Sequence, residues 1–489
     1  MKFCSNCILN INQCESVLYP RKMATSGELS EIISQRGKIL LVLNQFKYKE
    51  ENRKLSSGET KWRCIKTGCN ACLKTIGDSS GRVLTWSNQN HSHEQEPEHL
   101  LQRQILTQAA KRKAESDLTE KPAKIMRKAL AKDNNTNALT VRDLECVRKN
   151  IYYARRKSLP AVPRSIMEVH TALDIMNLKT SSSEEFLLVN DKTMNLVIFS
   201  CNSNLSYLCK SQILYMDGTF SYCTKFFKQF FTIHGFINGH YIPLVFCLLK
   251  DKSEETYKLC LSKILELCSR IKLVLSPTEV VVDYEIAIHN AVLQVWNDIK
   301  ITGCRFHLAQ AWYRQIQKLG LTQHYKDNKS EVGKWLHYCF GLVFLKPNDV
   351  EDFYFFELYE IKPQNTNLEK FSDYLLNTYL TNESKFPPHI WASASAALNK
   401  TTNACESFHA HFNNSMYQTH PSIFIFIQEL LNVQAETYVK CNSVSSIHRS
   451  RNLAIKKKQE FIEDKIKKYN DKEISKLSYV KMVSYYHSR

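Results

Sequence analysis

No part of this 489-residue chain is a continuous apolar run long enough to cross a membrane as a helix. Its first residues, MKFCSNCILNINQCES, carry one Lys and are broken by Asn and Gln, so no apolar signal core is read there. Internal repeats and sustained coiled-coil heptads are also missing. Acidic residues are in deficit, 48 against 66 Lys and Arg, for a formal net charge of +18. Such a basic excess points to a polyanionic partner, most often nucleic acid, with mere solubility or an anionic membrane surface as the alternative on charge alone. The 17 cysteines are odd in number and scattered, which excludes an even disulfide framework. In a soluble, reduced compartment, clustered thiols mean metal or core packing. Apolar material is plentiful: 43% hydrophobic and 11% aromatic residues can build cores for two to four domains.

Residues 1–35 show no periodicity and read as a disordered extension. Cys4, Cys7 and Cys14 within it lack a fourth ligand at suitable spacing. Residues 36–96 read as a small β unit. KILLVLNQFKYKE is a strand, a turn and a strand, and TKWRCIKTGC and GRVLTWSN are further strands. Residues 97–160 are basic and helical in three stretches, as a linker or as a helix-turn-helix-like module. Lys111, Arg112 and Lys113, with Lys124, Arg127 and Lys128, resemble a two-part nuclear import signal.

Pro160 and Pro163 mark a boundary, after which strands and helices alternate. EEFLLVN and MNLVIFS read as a hairpin, followed by a short helix. ILYMDGTF, KQFFTIHGF and HYIPLVFCLL are three successive strands. A helix, the strand EVVVDYE, a second helix and the short strand ITGCRFH follow. That order is the order of a ribonuclease-H-like mixed sheet, spanning 161–442 with an all-helical insertion over about 308–400. Residues 443–489 are a basic helical tail. The expected class is multidomain α/β.

Two constellations carry chemistry. The first is W-x-C-x4-C-x21-H-x-H, in which Cys64, Cys69, His91 and His93 supply two thiolates and two imidazoles for a structural zinc ion. Cys72 is the rival for Cys69. With Phe46, Tyr48, Leu55 and Trp62, this string resembles a FLYWCH-type zinc finger. The segment CNACLKT is similar to that family's C-x-A-R segment, which favours Cys69. Cys72 stands where the family usually has Arg, and the gap between the cysteines is short for it. The resemblance implies DNA binding and protein contacts.

The second constellation is acidic. Asp217 and Asp283 each end a strand of the expected sheet, the usual place for chemistry in an open α/β sheet. Two hard carboxylates brought together can hold Mg²⁺ or Mn²⁺ for phosphodiester chemistry, and Glu406 on NACESFHAHF is the candidate third. YMDGTF, VVVDYEIAIHNAV, CRFHLAQAW and NACESFHAHFN resemble, in order, the landmark motifs of Mutator-like (MULE) transposases. The resemblance implies an Asp217–Asp283–Glu406 triad, a C-x2-H element at Cys304 and His307, and an insertion tryptophan at Trp391. That ring either stacks on a DNA base or packs in a core. The C-terminal cysteine–histidine zinc module of many family members is absent, since Cys441 stands alone before His448. His409, His411 and His420 read as partly exposed packing residues. The implied function is transposase-like cleavage and joining of double-stranded DNA in the nucleus, with a homo-oligomer left open. The rival is a domesticated, catalytically silent nuclear DNA-binding regulator.

Overall fold

The structure is a computed structural model and describes residues 29–486, except 35–36, 55–57, 79–80, 133–136, 221–222, 328, 396–402, 417 and 444–452. Cys4, Cys7 and Cys14 lie outside the described residues. The chain divides into two compact units, Met1–Ala161 and Val162–Arg489.

In the first unit, six strands form one antiparallel meander in chain order: β1 (Ser30–Ile33), β2 (Ile39–Leu43), β3 (Phe46–Lys54), β4 (Thr60–Cys64), β5 (Cys72–Ile76) and β6 (Val83–Asn88). The unbroken apolar run of β2 is explained by burial on both faces. Leu41 and Leu43 meet Tyr48, Trp62 and Leu73 on one side, while Leu40 and Val42 meet Ile32 and Leu101 on the other. β1 corrects the expected extension over 1–35, because Ser30–Ile33 pairs with β2. A four-residue strand that buries only Ile32 leaves almost no alternation to read. Helices α1 (Glu98–Ser116), α2 (Pro122–Lys132) and α3 (Val141–Ser158) follow. They share a core of Leu106, Ala110, Ala114, Ile125, Met126, Val147 and Ile151. A capping box between Thr140 and Asp143 starts α3.

The second unit begins with α4 (Ile166–Ile175) and then builds a seven-stranded mixed sheet. Its elements are β7 (Leu187–Asp191), β8 (Leu196–Phe199), α5 (Asn202–Lys210), β9 (Ile213–Thr219), β10 (Gln229–Ile237), β11 (His240–Leu249), α6 (Glu254–Arg270), β12 (Glu279–Val282), α7 (Ile286–Val295) and β13 (Lys300–Gly303). The spatial order is β13-β12-β9-β10-β11-β8-β7. β12 runs parallel to both β9 and β13, whereas β9, β10, β11, β8 and β7 pair antiparallel.

Helices α8 (Arg305–Lys318), α9 (Thr322–Lys326), α10 (Glu331–Gly341), α11 (Pro347–Phe353), α12 (Thr366–Leu375) and α13 (Pro388–Trp391) form a separate helical core. α14 (Asn403–Ser415) and α15 (Ile423–Asn442) return to the sheet, where Cys405 packs on Tyr215 and Val281. The tail is not an appendage. α16 (Leu453–Asn470) and α17 (Lys476–Ser484) put Ile462, Tyr479, Val480 and Val483 into the helical core, and Tyr479 donates to the Phe344 carbonyl at 3.0 Å. Gly341 is required there, since a Cβ on it would stand 2.6 Å from the Val480 carbonyl oxygen.

Candidate metal centres

The first centre grows out of the small sheet. Cys64 closes β4, and its backbone N–H is tied to the Ala71 carbonyl at 2.9 Å. Between the cysteines the chain reverses over Lys66–Cys69, with Gly68 at φ +82° in the third turn position, where a left-handed backbone is needed. β6 then delivers His91 and His93. Cys64 Sγ lies 3.2 Å from His93 Nε2, Cys69 Sγ lies 3.4 Å from His91 Nδ1, and the two ring nitrogens are 3.3 Å apart. Ligands at zinc distances on a tetrahedron stand about 3.3–3.8 Å from one another, so these three edges are already close to those of the polyhedron, and all four donors lie within 4.8 Å of one another. Cys69 therefore completes the set, and Cys72 sits in β5 opposite Arg63 and Asn88.

The outer nitrogens are held as metal-binding imidazoles usually are. His91 Nε2 is 2.8 Å from Tyr48 Oη, and His93 Nδ1 is 2.8 Å from the Glu94 carbonyl. Phe46 stacks flat on His91 at 3.5 Å. Burial pushes the Cys69 thiol up, but backbone N–H groups of Ala71 and Ser92 outweigh it and hold the thiol at about 7. Burial, and then His93, lower the His91 pKa. A neutral imidazole and a ready thiolate are what a zinc ion requires.

The second centre sits on the mixed sheet. The parallel register pairs Val281 with Tyr215, so Asp283, just past the end of β12, and Asp217, in β9, lie in neighbouring stretches of chain, near enough for their charges to interact. Burial first, then Glu285 and Asp217, raise Asp283 to about 7. His289 holds the Asp283 carbonyl through Nε2 at 2.7 Å. Lys252 pairs with Glu285 beside it.

Asp217 receives a bond the sequence reading missed. His409 Nδ1 is 3.0 Å from its Oδ2, and His409 Nε2 is 2.9 Å from Thr232 Oγ1, which is 2.9 Å from His234 Nε2. His409 is buried, correcting the expectation of a partly exposed packing residue, while His411 and His420 are exposed. The available signal was spacing: three residues after Glu406 lies the same face of α14.

Glu406 faces a different partner. Its Oε1 is 3.2 Å from His307 Nε2, and Cys304 joins them in a set whose donor atoms all lie within 4.8 Å of one another. Asp217 and Asp283 are not members of that set. Trp391 is a core residue: 2% exposed, it meets Trp312 edge-on and its Nε1 donates to the Phe386 carbonyl at 3.0 Å. A ring enclosed this way offers no face to a DNA base. Arg305, between Cys304 and His307, is buried and donates to the carbonyls of Val343, Ser393 and Ser395, which ties the start of α8 to the segment leading toward Glu406.

Comparison with known families assigns both regions. Residues 31–93 match the FLYWCH zinc finger domain and contain all four donors of the first centre. Residues 213–311 match the MULE transposase domain and contain Asp217, Asp283, Cys304 and His307, while Glu406 lies beyond the matched span. No curated protein matches the chain. The match at residue 31 places β1 inside the finger.

Proposed function

From a chain that carries a FLYWCH zinc finger and a MULE transposase domain, we propose a nuclear, transposase-like protein that cuts and joins double-stranded DNA, with a ribonuclease-H-like sheet as its catalytic scaffold. The reading is supported by Asp217, in β9, and Asp283, just past the end of the neighbouring parallel strand β12, both inside the transposase match. Two carboxylates side by side, one raised toward neutrality by burial and like charge, form a site short of positive charge, which fits a divalent cation. Mg²⁺ or Mn²⁺ held by Asp217, Asp283 and Glu406 would activate the attacking oxygen and stabilise the leaving one. His409 orients Asp217, and His289 fixes the backbone of Asp283. Cys64, Cys69, His91 and His93 hold one structural zinc ion.

DNA binding is supported by a surface outside both matched domains. Arg142, Arg148, Lys149, Arg156 and Lys157 are exposed on α3, with Tyr152 and Tyr153. None of the five cations takes part in an ion pair among the described residues, whereas Arg103 and Lys113 of α1 and Lys124 and Lys128 of α2 pair with carboxylates. Arg142, Lys149, Tyr153 and Arg156 recur at helical spacing, one stripe about 21 Å long. Replacing Arg142, Lys149 and Arg156 with Ala is expected to weaken duplex binding. The slope of log affinity against log salt should fall by about 2–3, near 0.9 for each phosphate no longer neutralised. An unchanged slope removes α3 from the interface.

The direct test is a cleavage and joining assay with Mn²⁺ on DNA flanking the coding sequence, comparing wild type with Asp217→Asn. Cuts at defined ends that vanish in the variant support the transposase. Specific binding without cuts favours the silent regulator, a reading to which the turn of Glu406 toward His307 lends weight.

A further inference from the structure

The mixed sheet carries a second cluster of donors whose chemistry differs from that of the aspartates. Cys304 is the N-cap of α8 and His307 lies in its first turn, so the C-x2-H spacing brings both side chains to one helix end. The Cys304 backbone N–H is held by the Val282 carbonyl at 2.7 Å, which fixes the thiol next to the strand end that carries Asp283. Glu406 reaches this pair from α14. An N-cap position normally takes Ser, Thr, Asp or Asn, whose oxygen accepts a backbone N–H. Cys304 makes no such capping bond. A thiol at this position, beside an imidazole and a carboxylate, is an arrangement that helix capping does not explain.

We propose that Cys304, His307 and Glu406 form a soft-metal site that takes Zn²⁺, separate from the zinc finger, and that zinc bound there withdraws Glu406 from the aspartate pair. The 3.2 Å between His307 Nε2 and Glu406 Oε1 matches the edge of about 3.3 Å expected for N and O ligands on a zinc tetrahedron. All three donor atoms fall within 4.8 Å of one another, so a modest closure completes three vertices and leaves the fourth to water. Thiolate and imidazole select zinc, whereas the all-carboxylate pair beside them selects Mg²⁺ or Mn²⁺. The two sites are thus sorted by ligand softness and compete for one residue, Glu406. Access is open, because His307 and Glu406 keep 21% and 25% of their side chains exposed while Cys304 is fully buried. The binding half of this inference stands on the donor set alone, and the competition half rests on the transposase reading.

The experiment uses the full-length protein. Zinc per chain is counted by elemental mass spectrometry after equilibration with excess Zn²⁺ and gel filtration. The expected result is two ions in wild type, and one each in Cys304→Ala, His307→Gln and the finger variant His91→Gln. Circular dichroism of both α8 variants guards against a folding artefact. Co²⁺ substitution adds a second readout: thiolate charge-transfer absorbance assignable to the second ion should be missing in Cys304→Ala and retained in His91→Gln. A single ion in wild type, or a count unchanged by both α8 variants, overturns the site. In the cleavage assay, micromolar Zn²⁺ added over millimolar Mn²⁺ should suppress the wild type at least tenfold. Two ions without suppression overturn the competition. Two ions in a protein that cuts no DNA under any metal leave the site standing and sink the transposase reading instead.

Discussion

Asp283→Asn is expected to abolish Mn²⁺-dependent cleavage while leaving affinity for duplex DNA intact. The carboxylate it removes interacts with Asp217 beside β9, and the exposed cations of α3 proposed to bind DNA belong to the other unit of the chain. Charge stabilisation at such a centre is worth several kcal/mol, so the loss should reach about a thousandfold or more. Stability should move the other way. A buried carboxylate raised to about 7 is favoured in its protonated form by the folded state. Its contribution is present at low pH and is lost as pH rises through about 7. Metal-free wild type should therefore melt at a lower temperature at about pH 8 than at about pH 6, and Asp283→Asn should flatten that difference. The difference between those two pH values is about 1.4 kcal/mol, one pKa unit's worth, because the folded form gives up its proton at about 7. Added Mn²⁺ should narrow the gap by neutralising the site. Cleavage that persists in the variant, or a melting curve indifferent to pH in wild type, would reject the placement of Asp283 at the centre.

Chelation of zinc is expected to unfold the finger and leave the mixed-sheet unit folded. The eight residues of the finger's main core include the two ligating cysteines themselves. A module of about 60 residues is marginal on apolar burial alone. Structural zinc contributes about 10–16 kcal/mol to such domains, far more than this core can replace. Hydrogen exchange should show β4 and β5 losing protection together on chelation, and Cys64→Ser should reproduce this without chelator. Acid should do the same, because protons compete with the ion for the thiolates. Protection that survives chelation in β4 and β5 would show that the finger folds without metal.

Much of this was legible in the residues. The C-x4-C…H-x-H string is local, so its ligands could be named without knowing which distant segments meet. Asp283 was legible just past a strand end because EVVV is a short apolar run followed by a polar stop, whereas Asp217 lies inside β9, which continues through Gly218 and Thr219. The features that escaped depend on partners distant in sequence. His409 looks like an exposed helix residue until Asp217 and Thr232 are known to lie beneath α14. The partner of Glu406 could not be read either, since His307 lies 99 positions earlier. α16 and α17 hid their buried face because Ile462, Tyr479, Val480 and Val483 are sparse among lysines, whose stems cover apolar surface while their charges stay wet.

The docking of that tail bears on the order of synthesis. α17 fills a gap in the helical core beside α10, and Gly341 at the end of α10 is shaped to receive it. A ribosome finishes the aspartate strands long before it releases Tyr479 and Val480. Until those residues emerge, the helical core lacks part of its filling, and Arg305 has an incomplete frame from which to brace the approach to Glu406. Removing α17 should therefore loosen the frame of α8, the helix that carries His307, rather than trim a free appendage.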